Sequence, residues 1–327
     1  MSDDVHALEP KAMTAGQPSL PDVKMHLHTP AKPGVGVVVS NERCTASSKA
    51  ASFVRHIEID VSRTALAGNF KSGQSFGVLP PGLDAKGKPH QLRLYSIASP
   101  TRGEDGQGMR LSTTVKRTIE ELPETHRLYL GVASNYLCDL RPGDEVKITG
   151  PNGKRFVLPT DPGLHDYVFV ATGTGIAPFR GMILELLERA PASRVVLLMG
   201  SPYASDLIYH TELTVLAERH PGFTYLPAIS RERQGDGSGP MYVQDHFERS
   251  REQITPLLES ERTLIYACGM AGMELGLFQK LTRVLRGASL EQYLQVDPEV
   301  LGDVGGWTRR MIHKQVRPTR RVFLEVY

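Results

Sequence analysis

The stretch DYVFVATGTGIAPFRGMILELLERA, residues 166–190, decides the fold. Its apolar run Tyr167–Ala171 reads as a strand buried on both faces. Glycines at 173 and 175 then turn the chain, and from Ile176 the apolar positions follow helical spacing. A strand entering a helix through a glycine turn is the opening unit of a doubly wound parallel sheet. The downstream chain repeats it: strand candidates SRVVLLMGS (193–201), FTYLPAIS (223–230) and TLIYACGM (263–270) alternate with helical stretches YHTELTVLAERH (209–220) and MYVQDHFERSREQITPLLES (241–260).

Upstream the texture differs. GVGVVVSNERC (34–44), FVRHIEID (53–60), SFGVLPPG (75–82), QLRLYSIAS (91–99), MRLSTTVKR (109–117) and DEVKITGP (144–151) are short alternating segments parted by Gly, Pro, Asn and Asp. That spacing predicts an antiparallel β barrel. The expected organisation is a mobile N-terminal arm over residues 1–30, a barrel domain over 31–162 and an α/β doubly wound domain over 163–327. Segment 287–318 is expected to be a closing helix, which its glycines and prolines fit only loosely.

A chain of 327 residues exceeds the usual single domain, and 40% apolar with 23% charged residues describes a soluble globular protein. No apolar run approaches the ~18 residues a membrane span needs. The start MSDDVHALEPKAMTAG resembles neither a secretion signal nor a transit sequence, so a cytoplasmic location is expected; the expected oligomeric state is a monomer. Cys44, Cys138 and Cys268 are far apart with no C-x-x-C pair, so no zinc or iron–sulfur site is expected and redox chemistry needs an organic cofactor. A net charge of +2 is too small to suggest nucleic-acid binding.

Three features carry chemistry. Gly173 and Gly175 let backbone approach a ligand, and the following helix start offers free N–H groups to a pyrophosphate; the same turn also occurs without a ligand, and it is not the G-x-G-x-x-G fingerprint of ordinary dehydrogenases. In RLYSIAS (93–99), alternation puts Arg93 and Tyr95 on one side, where a guanidinium and a ring could grip one flat cofactor. Alone they read better as a surface arginine beside a partly buried tyrosine. The terminal RVFLEVY (321–327) places Val322, Leu324 and Val326 on one face and Phe323, Glu325 and Tyr327 on the other. Its plain reading is a last strand with Glu325 paired to a cation.

RLYSIAS, GVASNYLCDLRPGD (131–144), ATGTGIAPFRG (171–181), AISRE (228–232), MYVQ (241–244), YACGMAGME (266–274) and LEVY (324–327) occur in the order found in plant-type ferredoxin–NADP reductases. The chain resembles that family over about residues 30–327. The resemblance implies an FAD-binding barrel, an NADP-binding α/β domain, and electron exchange between NADP(H) and a one-electron ferredoxin or flavodoxin. On the FAD side it implies Arg93 at the pyrophosphate, Tyr95 on one face of the flavin, Ser96 near its N5, Ser134 and its neighbouring backbone at the phosphates, and Lys116 and Arg117 on the adenine side. For Arg117 a solvated strand end is the competing reading. Family members often carry a tyrosine a few residues after that basic pair, where this chain has Glu120; Tyr129 is a substitute ring for the adenine.

For NADP the resemblance implies Thr172, Gly173, Thr174, Gly175 and Pro178 around the pyrophosphate and nicotinamide. Ser230 and Arg231 would clamp the 2′-phosphate, with Tyr242 on the adenine and Gln244 beside it. The family's frequent lysine before that tyrosine is Pro240 here, and Arg233 is the candidate replacement. Cys268, by itself a small packing residue, would border the nicotinamide. Tyr327 would cover the second flavin face and swing aside for nicotinamide, with Glu325 relaying protons near Ser96.

DAKGKPHQLR (84–93) gathers Lys86, Lys88, His90 and Arg93 just before the flavin motif, a basic rim suited to an acidic ferredoxin or flavodoxin. A solvated basic loop is the plainer alternative. PPGLDAKGKPH (80–90) and GVASNYLCDL also resemble the reductase part of benzoyl-CoA epoxidase systems, so a stand-alone reductase feeding an oxygenase is a second reading. A non-catalytic flavoprotein docking subunit is the third.

Overall fold

The computed structural model describes residues 17–327. Six antiparallel strands form the first sheet: β1 (Gly34–Arg43), β2 (Val54–Asp60), β3 (Ser75–Val78), β4 (Arg93–Ser96), β5 (Arg110–Lys116) and, after a hairpin and a helix, β8 (Glu145–Asn152). Their order is β4-β3-β8-β1-β2-β5. The two edges meet: Ile97 bridges Thr113, Ala98 N–H donates to Ser112 O at 2.8 Å, and Thr113 Oγ1 donates to Ser96 O at 2.8 Å. Closure removes the free edges and forms the expected barrel. Inward residues such as Ile57, Ile59, Phe76, Ile97, Leu111 and Ile148 fill it.

Between β5 and β8 lie β6 (Ile119–Leu122), β7 (Arg127–Leu130) and α1 (Val132–Asp139). Strands β6 and β7 pair only with each other, as an exposed hairpin.

The second sheet contains β9 (Asp166–Thr172), β10 (Val195–Ser201), β11 (Phe223–Ile229), β12 (Thr263–Gly269) and β15 (Val322–Val326), all parallel, in the order β11-β10-β9-β12-β15. Its helices are α2 (Ile176–Arg189), α3 (His210–Arg219), α4 (His246–Arg249), α5 (Arg251–Leu258) and α6 (Met273–Val284). Alternation along β9 explains the unbroken apolar run: Tyr167, Phe169 and Ala171 enter one core, and Val168 and Val170 the other. The chain runs outward from β9 to β10 and β11, then returns to β12 on the other side. The carboxyl ends of β9 and β12 therefore flank a topological switch point, where open α/β sheets bind ligands.

Two segments differ from expectation. Residues 287–318 are not a closing helix but α7 (Gly287–Glu291), β13 (Leu294–Val296), α8 (Pro298–Leu301) and β14 (Val316–Pro318), with β13 and β14 paired antiparallel. Pro298, Gly302 and the Gly305-Gly306 pair interrupt helical propagation. Trp307 anchors the segment, 4% exposed, with its indole N–H on Val300 O at 2.8 Å. Of the expected arm, residues 1–16 lie outside the described residues. The rest runs along the barrel: Thr160 N–H donates to Ser19 O at 2.9 Å, His26 N–H to Pro151 O at 2.9 Å, and His28 bridges Gly150. Among the described residues no helix is long and apolar enough to cross a membrane, and no group of three or more His, Cys, Asp or Glu is placed to hold a metal ion.

Candidate active site

An open groove of about 390 Å³ runs along the barrel between β4, the loop before it, the β6–β7 hairpin and the start of α1. Arg93, Tyr95, Tyr129 and Ser134 all line it, as do His90 and Thr118. Tyr95 is half-buried, and desolvation pushes its phenol pKa up. The Arg93 guanidinium is exposed and held only lightly, by Gln91 Oε1 at 3.0 Å and Leu92 O at 3.4 Å. Ser134 has a structural duty: its Oγ accepts from Thr118 N–H at 3.1 Å and donates to Gly131 O at 3.2 Å. That pins the turn entering α1, which has no side-chain cap on its first N–H groups.

Lys116 is exposed at the end of β5. Arg117 instead points into the protein, donating to Asn135 Oδ1 at 2.9 Å and Asp139 Oδ1 at 2.5 Å and lying over the Phe53 ring at 4.9 Å. Glu120 and Tyr129 are direct cross-strand partners in the hairpin, so both side chains leave the same face. Tyr129 therefore brings a ring beside the position that Glu120 occupies. Lys86 and Lys88 are exposed on a loop whose turn Asp84 holds, Oδ1 accepting from their N–H groups at 2.8 and 2.9 Å. Asp84 and His90 also line the groove, so the loop borders it.

At the switch point, Gly173 adopts φ 53° and Gly175 passes so close to β12 that a Cβ would sit 2.1 Å from Cys268 O. Helix α2, containing Pro178, follows with no side-chain cap, leaving its first turn open to an anion. Thr172 Oγ1 accepts from Met270 N–H at 3.0 Å and ties the ends of β9 and β12 together. Cys268 is fully buried, which raises its thiol pKa well above the ordinary range. Register pairs it with Glu325 on β15, as Tyr266 pairs with Phe323, whose rings stack at 4.2 Å.

Glu325 Oε2 is buried with no hydrogen-bond partner, and burial raises the carboxyl pKa from 4.5 to about 7. The plain reading of this residue as one half of an ion pair is thus not what the structure holds. Tyr327 is pinned by its backbone, N–H to Gly269 O at 3.0 Å and O from Ala271 N–H at 2.8 Å, while the residue as a whole is 63% exposed. Its hydroxyl is hydrogen-bonded to Thr174 Oγ1 at 2.7 Å. Sequence reasoning named both residues but not this link.

Further along the same sheet edge, Ser230 follows β11, its Oγ 3.5 Å from Ser201 O. Arg231 projects from the next position, 6.0 Å from the Tyr203 ring. Gln234, absent from the sequence reading, braces this loop by a two-way bond with Ile229, donating to its O at 2.7 Å and accepting from its N–H at 3.0 Å. Arg233 Nη1 donates to Gly237 O at 3.0 Å across the loop that leads to Pro240. Tyr242 is 66% exposed, and its N–H is held by Asp245 Oδ2 at 2.9 Å. Gln244 lies against Gly276 of α6, its Nε2 3.0 Å from where a Cβ would stand.

The two halves abut directly. A Cβ on Gly181 of α2 would sit 2.2 Å from Ser99 O, in the segment that follows Ser96. Glu185 reaches across to Ser72 Oγ at 3.0 Å and Thr101 N–H at 3.2 Å. The groove on the barrel and the switch point on the sheet thus belong to adjoining surfaces.

Residues 169–277, which contain the turn, Cys268 and the 230–244 loop, match the family described as Oxidoreductase NAD-binding domain. The chain is 38% identical to Ferredoxin--NADP reductase of Thermosynechococcus vestitus over 84% of its own length and 72% of that protein's. It is 38% identical to Ferredoxin--NADP reductase of Spirulina sp over 78% and 88% of the two lengths. The chain belongs to the ferredoxin–NADP reductase family. The root-type chloroplastic ferredoxin–NADP reductase of Nicotiana tabacum is 40% identical over 84% of this chain and 76% of its own. The fold agrees with that of a solved ferredoxin-NADP+ reductase from Plasmodium falciparum, at TM-score 0.66 and 20% identity, covering 93% of this chain and 99% of that one.

Proposed function

We propose that this ferredoxin–NADP reductase family member is an FAD-dependent oxidoreductase that exchanges electrons between NADP(H) and an acidic ferredoxin or flavodoxin. The observation that carries the reading is the convergence at the switch point of an open glycine turn, the Cys268 strand end, the partnerless Glu325 carboxyl and a terminal ring hung on Thr174. A buried carboxyl oxygen without a partner is rare in a finished core and suits a site that a bound group completes. The groove meets the same test for FAD, since an exposed guanidinium, a half-buried ring and an uncapped turn stand along one wall.

When bound, the flavin supplies the conversion between two-electron and one-electron transfer. The chain's own residues bind, orient and screen. Arg93 offers a forked donor to pyrophosphate, the α1 turn that Ser134 holds offers N–H groups, and Tyr95 supplies one flat wall. Ser96 ends that strand at the seam, Lys116 adds charge near the adenine side, and Tyr129 supplies a ring there. The open turn from Thr172 through Gly173, Thr174 and Gly175 to Pro178 receives the second pyrophosphate, with Cys268 fixing the floor beside it. Ser230 and Arg231 receive the 2′-phosphate, and Tyr242 and Gln244 take the adenine side. Tyr327 shields the site until nicotinamide displaces it, and Glu325, with a carboxyl near pKa 7, holds or releases a proton in the working pH range. Lys86 and Lys88 form the docking rim.

The test is an anaerobic titration of the purified protein, watched through its visible absorbance. Bleaching by NADPH much faster than by NADH, with the preference lost in Arg231→Ala, is the expected result. A protein that takes up no FAD, or that holds FAD and ignores NADPH, would refute the reading.

A further inference from the structure

A cluster of charged side chains lies inside the seam between barrel and sheet. Arg180, in the first half of α2, is only 12% exposed. It donates through Nη1 to Glu104 Oε1 at 2.6 Å and Ala98 O at 3.3 Å, and through Nε to Glu212 Oε2 at 2.9 Å. Glu104 and Ala98 belong to the barrel, whereas Glu212 belongs to α3. Tyr209, at the head of α3 and 5.2 Å from the guanidinium, sends its hydroxyl into the barrel to Thr114 Oγ1 at 2.6 Å and His56 Nδ1 at 2.8 Å. His56 is uncharged there, since burial lowers its pKa to about 4.

This is an expensive way to join two domains. Desolvating one guanidinium and two carboxylates offsets most of their attraction, and apolar packing would stabilise the seam as well. Tyr209 also sits at φ 56°, a left-handed conformation that a bulky residue adopts only when its surroundings enforce it. What such a network supplies beyond packing is direction. A planar fork shared between two carboxylates resists sliding, while domains in contact through ordinary surfaces are expected to shift.

The elements tied together are those that carry the two cofactor sites. Arg180 lies in the helix that begins at the glycine turn, and Ala98 and Glu104 lie just beyond β4 with Arg93, Tyr95 and Ser96. Gly181 beside it keeps the contact backbone to backbone, with no flexible side chain between.

We propose that Arg180 is a positioning residue which, with Glu104, Glu212 and Tyr209, fixes β4 relative to the glycine turn, so that the flavin and nicotinamide sites are aligned before NADP(H) arrives. The proposal rests on the functional reading above and adds a requirement to it: alignment is a property of the seam, separable from the binding of either cofactor.

The test compares the FAD-loaded parent with Arg180→Met, Arg180→Lys and Glu104→Gln. The probes are NADPH, which must reach across the seam, and 2′-P-AMP, which occupies the α/β side alone. FAD content and 2′-P-AMP affinity should stay at parental values in all variants. The limiting rate of flavin bleaching at saturating NADPH should fall on the order of 10–100-fold in Arg180→Met, as a displacement near 1 Å would cause, with partial recovery in Arg180→Lys. Calorimetry should resolve two unfolding transitions in Arg180→Met and one in the parent. A parental limiting rate in Arg180→Met overturns the proposal, as does a parallel loss of 2′-P-AMP affinity and rate, which marks a damaged fold instead of a misaligned pair. If Arg180→Met does not fold, Glu104→Gln, which keeps the pair with Glu212, carries the same comparison and the same two refutations. A parent that NADPH does not bleach refutes the functional reading itself.

Discussion

Replacing Glu325 by glutamine should stabilise the protein above about pH 4.5, by an amount that grows until about pH 7. The carboxyl is buried on β15 with Oε2 unpartnered, which raises its pKa from 4.5 to about 7. Between these values the folded protein holds a proton that the unfolded chain has released, so stability falls as pH rises through this window. At about 1.36 kcal/mol per pH unit the full penalty approaches ~3 kcal/mol above pH 7 and vanishes below 4.5. Partial solvent access makes that figure a ceiling. Glutamine has nearly the same shape and no charge to bury, so it removes the penalty. Urea unfolding of the FAD-loaded parent and Glu325→Gln at pH 5 and pH 8 isolates the effect, because groups common to both proteins cancel in the difference. The variant's advantage should grow by about 2 kcal/mol between the two pH values. A constant advantage, or none at either pH, would show that Glu325 is ionised and solvated in the folded protein, and its proton-handling role would fall with it.

Tyr129→Ala should weaken FAD binding by roughly 5- to 150-fold, the range that loss of one base–aromatic stack of about 1–3 kcal/mol predicts, while Tyr129→Phe stays near the parent; fluorescence titration of the apoprotein with FAD reads both, and parental affinity in Tyr129→Ala would assign the adenine elsewhere. Charge reversal at Lys86 and Lys88 should slow ferredoxin reduction on the order of tenfold at low ionic strength, with the gap closing as salt screens it. Reduction of ferricyanide should be unaffected, and equal loss of both activities would argue against a docking role.

What could be read from sequence follows from how local each signal is. The barrel strands alternate at period two and β9 is apolar on both faces, so a few neighbouring residues reveal each element. The glycine turn shows for the same reason: Gly173 needs its positive φ and Gly175 its close approach to Cys268. Segment 287–318 was illegible because its folding depends on Trp307 finding Val300 and on the short β13–β14 pairing, neither of which has a periodic signature. The hairpin of β6 and β7 is exposed throughout, so no burial pattern announces it. For Arg117 the sequence offers both a cofactor-side reading and a solvated one, and it cannot show the hydrogen bonds that the side chain makes to Asn135 and Asp139. The seam was hidden most completely, since Arg180 meets Glu104 from 76 residues away and the surrounding motif gives its arginine no distinguishing role.

The seam and the chain end together suggest how one site can be both rigid and open. Tyr327, the residue after β15, is fixed by two backbone hydrogen bonds, so its main chain can stay in place while the ring turns away from the proposed flavin site. Only the side chain has to turn, and the bond it must release is the exposed one to Thr174. An exposed hydroxyl pair of this kind contributes about 0.5–1.5 kcal/mol, so the barrier it sets against an incoming ring is a factor of roughly 2 to 13 in binding. Thr174 belongs to the turn proposed to receive the NADP(H) pyrophosphate, and a ligand seated there competes for the same hydroxyl. Binding of the phosphate end would thereby loosen the gate at the nicotinamide end. On the proposal above, Arg180 and its partners hold the seam while one aromatic side chain turns, and a domain joint that shifted by an ångström would undo the alignment of the two proposed sites.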